Sequence, residues 1–369
     1  MADGGPARNS FELNVTLNQI EDVTARLLWF RGTVEESVLA SYDGSAGPVP
    51  KCRPKRVENI WHLISNIRQA DAVIVHGYYL GWVLPSVVIA AITRIPVVIT
   101  PHGSLTKRQQ KFSVRKKAFF DATAGRIIRR YIKSFVTGSR IEAEQLLAKF
   151  PRSSAVAAGV GTPIPDGISD AGEWSTPPRL LLLSRITRKK RHDLAIEAVA
   201  ELVAQGIPVE LDIVGTGSAE DVRRLKNQAS VCQVTDLVHF HGQKVGAAKR
   251  AAFENADIFI LPSEDENFGI SVAEALAHGV PTICSREVAA SEGLPFLAGS
   301  RLVTTSPQDL ADAVKELLSR DRAEARRVAR AFAEQTYSWE SAACKWLDAL
   351  GSTCGLSLAS ADSDKPKLK

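Results

Sequence analysis

Apolar residues follow two periods along this chain, and the two alternate. Short stretches such as 72–75, 96–100, 134–138, 179–183, 209–214, 238–242 and 258–261 are mostly apolar without a break, as buried parallel strands are. Between them apolar positions recur at three- and four-residue spacing. Examples are Ile60, Leu63, Ile64 and Ile67, then Leu194, Ile196, Ala198, Val199 and Leu202, then Val272, Ala273, Leu276 and Ala277. A further strand is predicted over 26–30 and further helices over 84–92, 139–149, 249–255, 309–318 and 324–335. Alternating strands and helices predict an α/β fold of doubly wound parallel sheets.

Breakers divide the pattern. Residues 161–178 are rich in Gly, Pro, Ser and Asp around Trp174, and 369 residues suit two domains. The expected division is a first domain over 1–165, a linker over 166–178 and a second domain over 179–336, then a last helix over 337–350 and a polar, disordered tail from 351. Ser139 with Glu142 fits a capping box at the start of the 139–149 helix.

The densest chemistry lies in 257–284. Ile258 to Leu261 closes on Pro262-Ser263, and the acidic run Glu264-Asp265-Glu266-Asn267 follows before Phe268-Gly269-Ile270 opens a helix. This is a loop at a strand's carboxyl end, where open parallel sheets bind ligands. Glu266 and Glu274 are eight positions apart and both can face that crevice, while the amides of Phe268, Gly269 and Ile270 suit an anion. An ordinary solvated loop would also read this way. A second loop of the same kind runs Ser184-Arg185-Ile186-Thr187-Arg188-Lys189-Lys190-Arg191 between a strand and a helix. Cations there oppose the helix dipole, a conflict that an anionic ligand resolves. Gly215-Thr216-Gly217 follows a third strand but lacks the third glycine of a dinucleotide fingerprint. His76 and His102 each sit just past a strand and before a glycine.

Residues 262–281 closely resemble the Glu-x7-Glu signature of the retaining family 4 glycosyltransferases, which have the GT-B fold. Pro262, Ser263, Glu266, Phe268, Gly269, Glu274, Ala275, Ala277, Gly279 and Pro281 match, and Asn267 stands where glycine is usual, a substitution eased by asparagine's tolerance of positive φ. The resemblance implies two Rossmann-like domains facing a central cleft. It also implies transfer of a sugar from a nucleotide-diphosphate donor to an acceptor hydroxyl with retained configuration. By it, Glu266 holds hydroxyls of the donor sugar and Glu274 the ribose. Arg185 and Lys190 match the family's diphosphate-binding arginine and lysine, with Ser184 and Arg191 replacing glycines. Gly215 and Gly217 match a Gly-x-Gly near the nucleotide. Segments 75–77 and 100–105 resemble a branch in which His102 faces the donor sugar, His76 being less defined. Gly5 matches a glycine loop beside the donor phosphate, normally preceded by a first strand. None precedes it here, so the first domain is expected to lack that strand, through truncation or a misassigned start. Tyr337-Ser338-Trp339-Glu340 resembles the start of a final helix that returns to the first domain.

The expected function is a glycosyltransferase of cell-surface polysaccharide or lipopolysaccharide synthesis, with Glu266, His102, Arg185 and Lys190 as catalytic groups. No cofactor or metal is required, because the cations stabilise the leaving diphosphate. A non-catalytic nucleotide- or sugar-binding remnant is the alternative, motivated by the missing strand. A two-carboxylate hydrolase leaves the Arg185 and Lys190 pair unexplained, and a Rossmann oxidoreductase lacks its glycine. Asp362-Ser363-Asp364 mimics a metal motif by chance.

Composition adds little. With 24% charged and 45% hydrophobic residues and a net charge of +5, the chain is ordinary for a globular protein. No apolar run nears the ~20 residues of a membrane span. No signal-peptide pattern is visible, and five scattered cysteines suit a reducing cytoplasm. The distribution of charge says more. Lys107, Arg108, Lys111, Arg115, Lys116, Lys117, Arg126, Arg129, Arg130 and Lys133 oppose one acid, Asp121, and interleave with Phe112, Val114, Phe119, Phe120, Ile127, Ile128 and Tyr131. A peripheral contact with anionic lipid, near a lipid-linked or saccharide acceptor, is expected here. A plain solvated helix pair is the competing reading, and no nucleic-acid motif accompanies the charge.

Overall fold

The computed structural model describes residues 5–30, 55–167, 172–302 and 306–356. They form two compact units. One takes the chain up to Gly161 and again from Trp339, and the other runs from Thr162 to Ser338.

The first unit opens with helix α1 (Gly5–Gln19), so Gly5 is its first helical residue. Strand β1 (Leu28–Trp29) pairs in parallel with β2 (Lys55–Arg56), apart from the main sheet. The strand expected over 26–30 thus shrinks to two residues. Its partner carries only exposed side chains and offers no buried face to extend against. Helix α2 (Ile60–Arg68) starts where Asn59 accepts from the His62 amide at 2.9 Å. Four parallel strands follow in spatial order β3 (Val73–His76), β4 (Val97–Thr100), β5 (Ser134–Thr137) and β6 (Ala155–Ala157). Every residue of β4 is buried, which its unbroken Val-Val-Ile-Thr sequence requires. Helix α3 (Val83–Thr93) links β3 to β4, and α4 (Val114–Ala122) with α5 (Ala124–Tyr131) lies between β4 and β5. Helix α6 (Arg140–Lys149) joins β5 to β6. Leu13, Leu17 and Ile20 pack on Val98, Val136 and Ala158 and on Ala343 and Trp346 of the last helix, α13 (Trp339–Cys354). That helix runs to Cys354, past the expected end at 350. The remaining tail, with Asp362 and Asp364, lies outside the described residues.

In the second unit six parallel strands lie in the order β12-β11-β10-β7-β8-β9. They are β7 (Arg179–Leu183), β8 (Glu210–Val214), β9 (Val238–Gly242), β10 (Ile258–Leu261), β11 (Thr282–Ser285) and β12 (Gly299–Leu302). The crossovers are α7 (His192–Ala204), α8 (Ala219–Val231), α9 (Gly246–Glu254) and α10 (Ile270–Ala277), and α11 (Pro307–Leu318) and α12 (Arg322–Tyr337) complete the unit. The chain first winds outward from β7 through β9, then restarts at β10 on the other side of β7. The order therefore reverses between β7 and β10, where Ile258 pairs with Leu180 and Phe259 with Leu181. That reversal is the topological switch point of this sheet, and its carboxyl end is where a doubly wound fold leaves a crevice.

The opposite end of the sheet is pinned by charge. Asp257, wholly buried before β10, accepts from the Arg179 amide at 2.8 Å and from Arg322 Nε at 2.9 Å. Arg326, also buried, reaches the carbonyls of Ala256 and His278 at 3.3 and 3.2 Å. Within the expected linker, Trp174 donates from its indole to the Arg320 carbonyl at 3.0 Å and packs against this unit's core.

Candidate functional site

The basic loop after β7 and the acidic loop after β10 are neighbours because their strands are. They lock together residue by residue. Lys189 Nζ lies 3.3 Å from Asp265, Lys190 Nζ donates to the Glu266 carboxylate, and Arg191 meets Glu264 at 2.8 Å. The backbone joins in, with the Glu264 amide on the Lys189 carbonyl at 2.9 Å. The conflict between these cations and the α7 helix dipole is thus relieved partly from within, by the acidic loop. Among the described residues Arg185 and Arg188 are the cations of this loop without a carboxylate partner, and both are exposed. Arg191, in place of a usual glycine, adopts φ +52, and Asp193 and Glu264 hold it in that left-handed conformation. Asn267, by contrast, does not use its tolerance of positive φ. The turn is made at Gly269, φ +91, where a Cβ would fall 2.5 Å from Val288 Cγ1.

Burial pulls the Lys190 ammonium down to about 7, with Lys189 and Arg185 adding repulsion and the Asp265 carboxylate working against that pull. Glu274 sits on α10, partly buried. Both its oxygens accept from Lys249 Nζ, at 2.6 and 2.7 Å. Each carboxylate of the Glu-x7-Glu pair therefore has a lysine of its own.

Gly215 and Gly217 serve the site from beneath. A Cβ on Gly215 would lie 1.9 Å from the Ser184 carbonyl oxygen, and one on Gly217 2.5 Å from that of Ile186. The Ile186 amide bonds the Thr216 carbonyl at 2.8 Å. These glycines let the basic loop lie on the β8 loop, which sets the position of Arg185. The amides of Phe268, Gly269 and Ile270 donate to no protein acceptor among the described residues, so the start of α10 presents free donors. Phe268 itself is an anchor. Its buried ring stands edge-on to Tyr337 at 5.7 Å, and its carbonyl accepts from the Ala290 amide at 2.7 Å. A separate cavity of about 400 Å³, lined by Arg179, Glu210, Asp212, His239, His241 and Lys244 among others, lies on the β8–β9 face. Its Arg179–Glu210 and His241–Asp212 pairs satisfy each other, and neither carboxylate of the signature lines it.

In the first unit the two predicted histidines meet. His76 Nδ1 lies 2.9 Å from His102 Nε2 and the rings stack at 5.1 Å. One proton is shared between those nitrogens, so at least one ring is neutral. Burial lowers His76 to about 4, and burial with the neighbouring His76 lowers His102 to about 3. His102 takes φ +50, and the next amide, Gly103, donates to the buried Glu142 carboxylate. Glu142 also accepts from Gly138 at 3.1 Å, and burial raises its pKa against the pull of these two amides. The capping box at 139–142 is thus half formed: Ser139 caps the Glu142 amide at 3.1 Å, but the glutamate turns away to hold the loop after His102.

Residues 168–336 match the family model "Glycosyl transferases group 1", and residues 23–158 match "Glycosyl transferase 4-like domain". Both stretches are thus similar to glycosyl transferase domains. The chain has the GT-B fold: a crystal structure of Anabaena HepE in complex with UDP and glucose superposes with a TM-score of 0.70 over 95% of this chain and 96% of that one, at 17% identity. A GDP-mannose-dependent alpha-(1-6)-phosphatidylinositol dimannoside mannosyltransferase of Mycobacterium tuberculosis is 32% identical over 180 residues, 48% of this chain and 45% of that protein. An amylovoran biosynthesis glycosyltransferase, AmsK, of Erwinia amylovora is 33% identical over 127 residues, 33% of this chain and 30% of that protein. The match spans less than half the length of either relative.

The residues that sequence reasoning missed are Lys249 and the pairing role of Lys189 and Arg191. Lys249 lies on α9 outside any motif, and only the strand order brings it to Glu274. No helix of the described residues is long and apolar enough to cross a membrane. The segment over 107–133 divides its apolar residues. Ile128 is fully buried and Phe120 packs on Tyr78 and Tyr79, whereas Phe112, Val114, Phe119, Ile127 and Tyr131 point outward at 43–73% exposure. Arg129 pins the helix pair from below, on the Tyr78 hydroxyl at 2.6 Å and over the Phe150 ring at 4.1 Å.

Proposed function

We propose that this chain transfers a sugar from a nucleoside-diphosphate sugar to an acceptor hydroxyl, with retention and without a metal, in cell-surface polysaccharide or lipopolysaccharide synthesis. The observation that carries the reading is the interlocked pair of loops at the switch point: Lys190 on Glu266, Lys249 on Glu274, unpaired Arg185, and free amides at 268–270. Arg185, Lys190 and the amides stabilise the diphosphate as it leaves. Glu266 orients the sugar and Glu274 the ribose, as their places in the Glu-x7-Glu signature imply. His102 is the residue the family pattern gives to the sugar, and the His76 contact fixes its ring. Retention and metal independence rest on that signature. The polysaccharide setting is supported by relatives such as the amylovoran biosynthesis glycosyltransferase. The outward face over 107–133, basic and aromatic, suits peripheral contact with the anionic inner face of a membrane, where a lipid-linked acceptor would lie.

The test is thermal unfolding with UDP, GDP and ADP, followed by transfer assays with sugars of the nucleotide that binds. A specific rise in Tm with one diphosphate, lost in Glu274→Ala, supports the donor site. Transfer that survives chelation and keeps the donor's anomeric configuration by NMR supports the rest. A cooperative melt unmoved by every nucleoside diphosphate overturns the reading.

A further inference from the structure

We infer that Lys249 is a positioning residue of the donor site, one that cancels the charge of Glu274 so that a carboxylate can stand beside a nucleoside diphosphate. The inference rests on the donor-site reading above and deepens it. Lys249 Nζ bonds both Glu274 oxygens at 2.6 and 2.7 Å. The Glu274 side chain is only 12% exposed, so without a cation its charge would be poorly solvated and would repel an anionic ligand. A carboxylate has about four lone-pair positions. Lys249 takes one on each oxygen and leaves one on each for the hydroxyls of a ribose. The lysine is held for this task. Its ammonium lies 5.9 Å from the Phe253 ring, which is itself buried and stacked on His278 at 4.9 Å. Lys190 does the same for Glu266 from another strand end, but there the cation comes from the phosphate-binding loop. Lys249 comes from α9 and belongs to no motif. It leaves the acidic signature neutral without lending that signature a phosphate ligand.

The test compares binding of the diphosphate that the protein takes with that of its uncharged nucleoside, by calorimetry. Lys249→Met keeps the stem on Phe253 and removes the charge. The expected result is a ten-fold or greater loss of diphosphate affinity with less than a three-fold change for the nucleoside. Lys249→Arg should restore most of the loss. Adding Glu274→Gln to Lys249→Met should recover diphosphate affinity relative to the single variant, because the bare carboxylate is gone. Equal losses for diphosphate and nucleoside, or no recovery in the double variant, reduce Lys249 to a packing role and overturn the inference. If Lys249→Met does not stay folded at the assay temperature, Lys249→Gln carries the same comparison. If the wild-type chain binds none of UDP, GDP or ADP, the donor-site reading fails and this inference falls with it.

Discussion

Lys190 donates to Glu266, so the two residues that the family pattern gives to different parts of one ligand are each other's partner here. In that pattern the lysine goes to the diphosphate and the glutamate to the sugar, and here they come from the carboxyl ends of adjacent strands. Their contact holds both loops close to one geometry before any donor arrives. The cost of ordering two charged loops is then met on folding rather than on binding.

Removing either partner should hurt more than removing both. Lys190→Ala or Glu266→Ala leaves a partly buried charge alone, which costs about 1–3 kcal/mol. Each should also lower turnover by ~10²-fold or more, the scale of one preorganised electrostatic group. The double variant Lys190→Ala with Glu266→Ala should lose less stability than either single, and so far less than the two summed. Urea unfolding of the four proteins checks the coupling, and additive losses would show that the contact is not formed in solution.

Much of this was legible in the sequence, and the part that was not has a physical cause. The strands and the switch-point loops follow from apolar runs that end in charged or glycine-bearing segments, as at 179–191 and 258–269. Lys249 was invisible because only the strand order β10-β7-β8-β9 brings α9 near α10, and pattern does not encode that order. Glu142 was read as a cap because its spacing from Ser139 is local, whereas its carboxylate answers to the loop after β4. The basic segment failed as a single class. Its apolar residues were read as one interleaved set, and the backbone sends Ile127 outward and Ile128 into the core.

The glycines beneath the basic loop predict a contrast. Gly215→Ala places a Cβ 1.9 Å from backbone, so the 184–191 loop must move. The expected result is a loss of about 1–3 kcal/mol in stability and a clear loss of diphosphate affinity. Gly242, φ +68, has nothing within 4 Å of where a Cβ would stand, so Gly242→Ala should cost only the left-handed conformation, about 1 kcal/mol, and leave binding alone. Calorimetric binding with both variants separates loop displacement from general strain.

Asp257 and Arg322 predict the largest stability effect. The carboxylate is inaccessible and the guanidinium nearly so. Asp257→Ala removes a buried carboxylate from both Arg322 and the Arg179 amide, which should cost about 3–5 kcal/mol. Chemical denaturation monitored by the tryptophan nearest this pair, Trp174, is the direct check, since Arg322 lies 5.9 Å from its ring. A loss under 1 kcal/mol would mean that the pair contributes little to this unit.

The histidine pair predicts a pH dependence with a definite sign. Burial sets His76 at about 4 and His102 at about 3 in the folded chain, below the ordinary value near 6.5. Between those values the unfolded chain binds more protons, so stability rises with pH and is lost as pH falls from about 6.5 toward 4. Both residues are only partly buried and their rings share one proton, so the combined loss should be about 1–3 kcal/mol rather than the full shift. Melting temperatures taken from pH 7.5 to 4.5 should fall, and less steeply in His76→Gln.

The outward face over 107–133 predicts binding to anionic lipid that charge and aromatic changes abolish separately. Lys111, Arg115, Lys116, Arg126, Arg130 and Lys133 are exposed on the same short stretch as Phe112, Phe119 and Tyr131. Each cation near an anionic surface contributes about 1 kcal/mol, and that part is screened by salt. Apolar insertion adds a part that salt does not screen. Vesicles with phosphatidylglycerol should therefore retain the protein, and pure phosphatidylcholine vesicles should not. Arg126→Glu with Arg130→Glu should weaken retention at low salt by ten-fold or more. Phe119→Ser should weaken it at high salt as well, where the wild-type chain still holds. The two sets leave Arg129 and its Tyr78 contact intact, so the helix pair stays anchored and a loss of retention reports on the face itself. Equal retention on both vesicle types, or none on either, would leave this segment as a solvated helix pair.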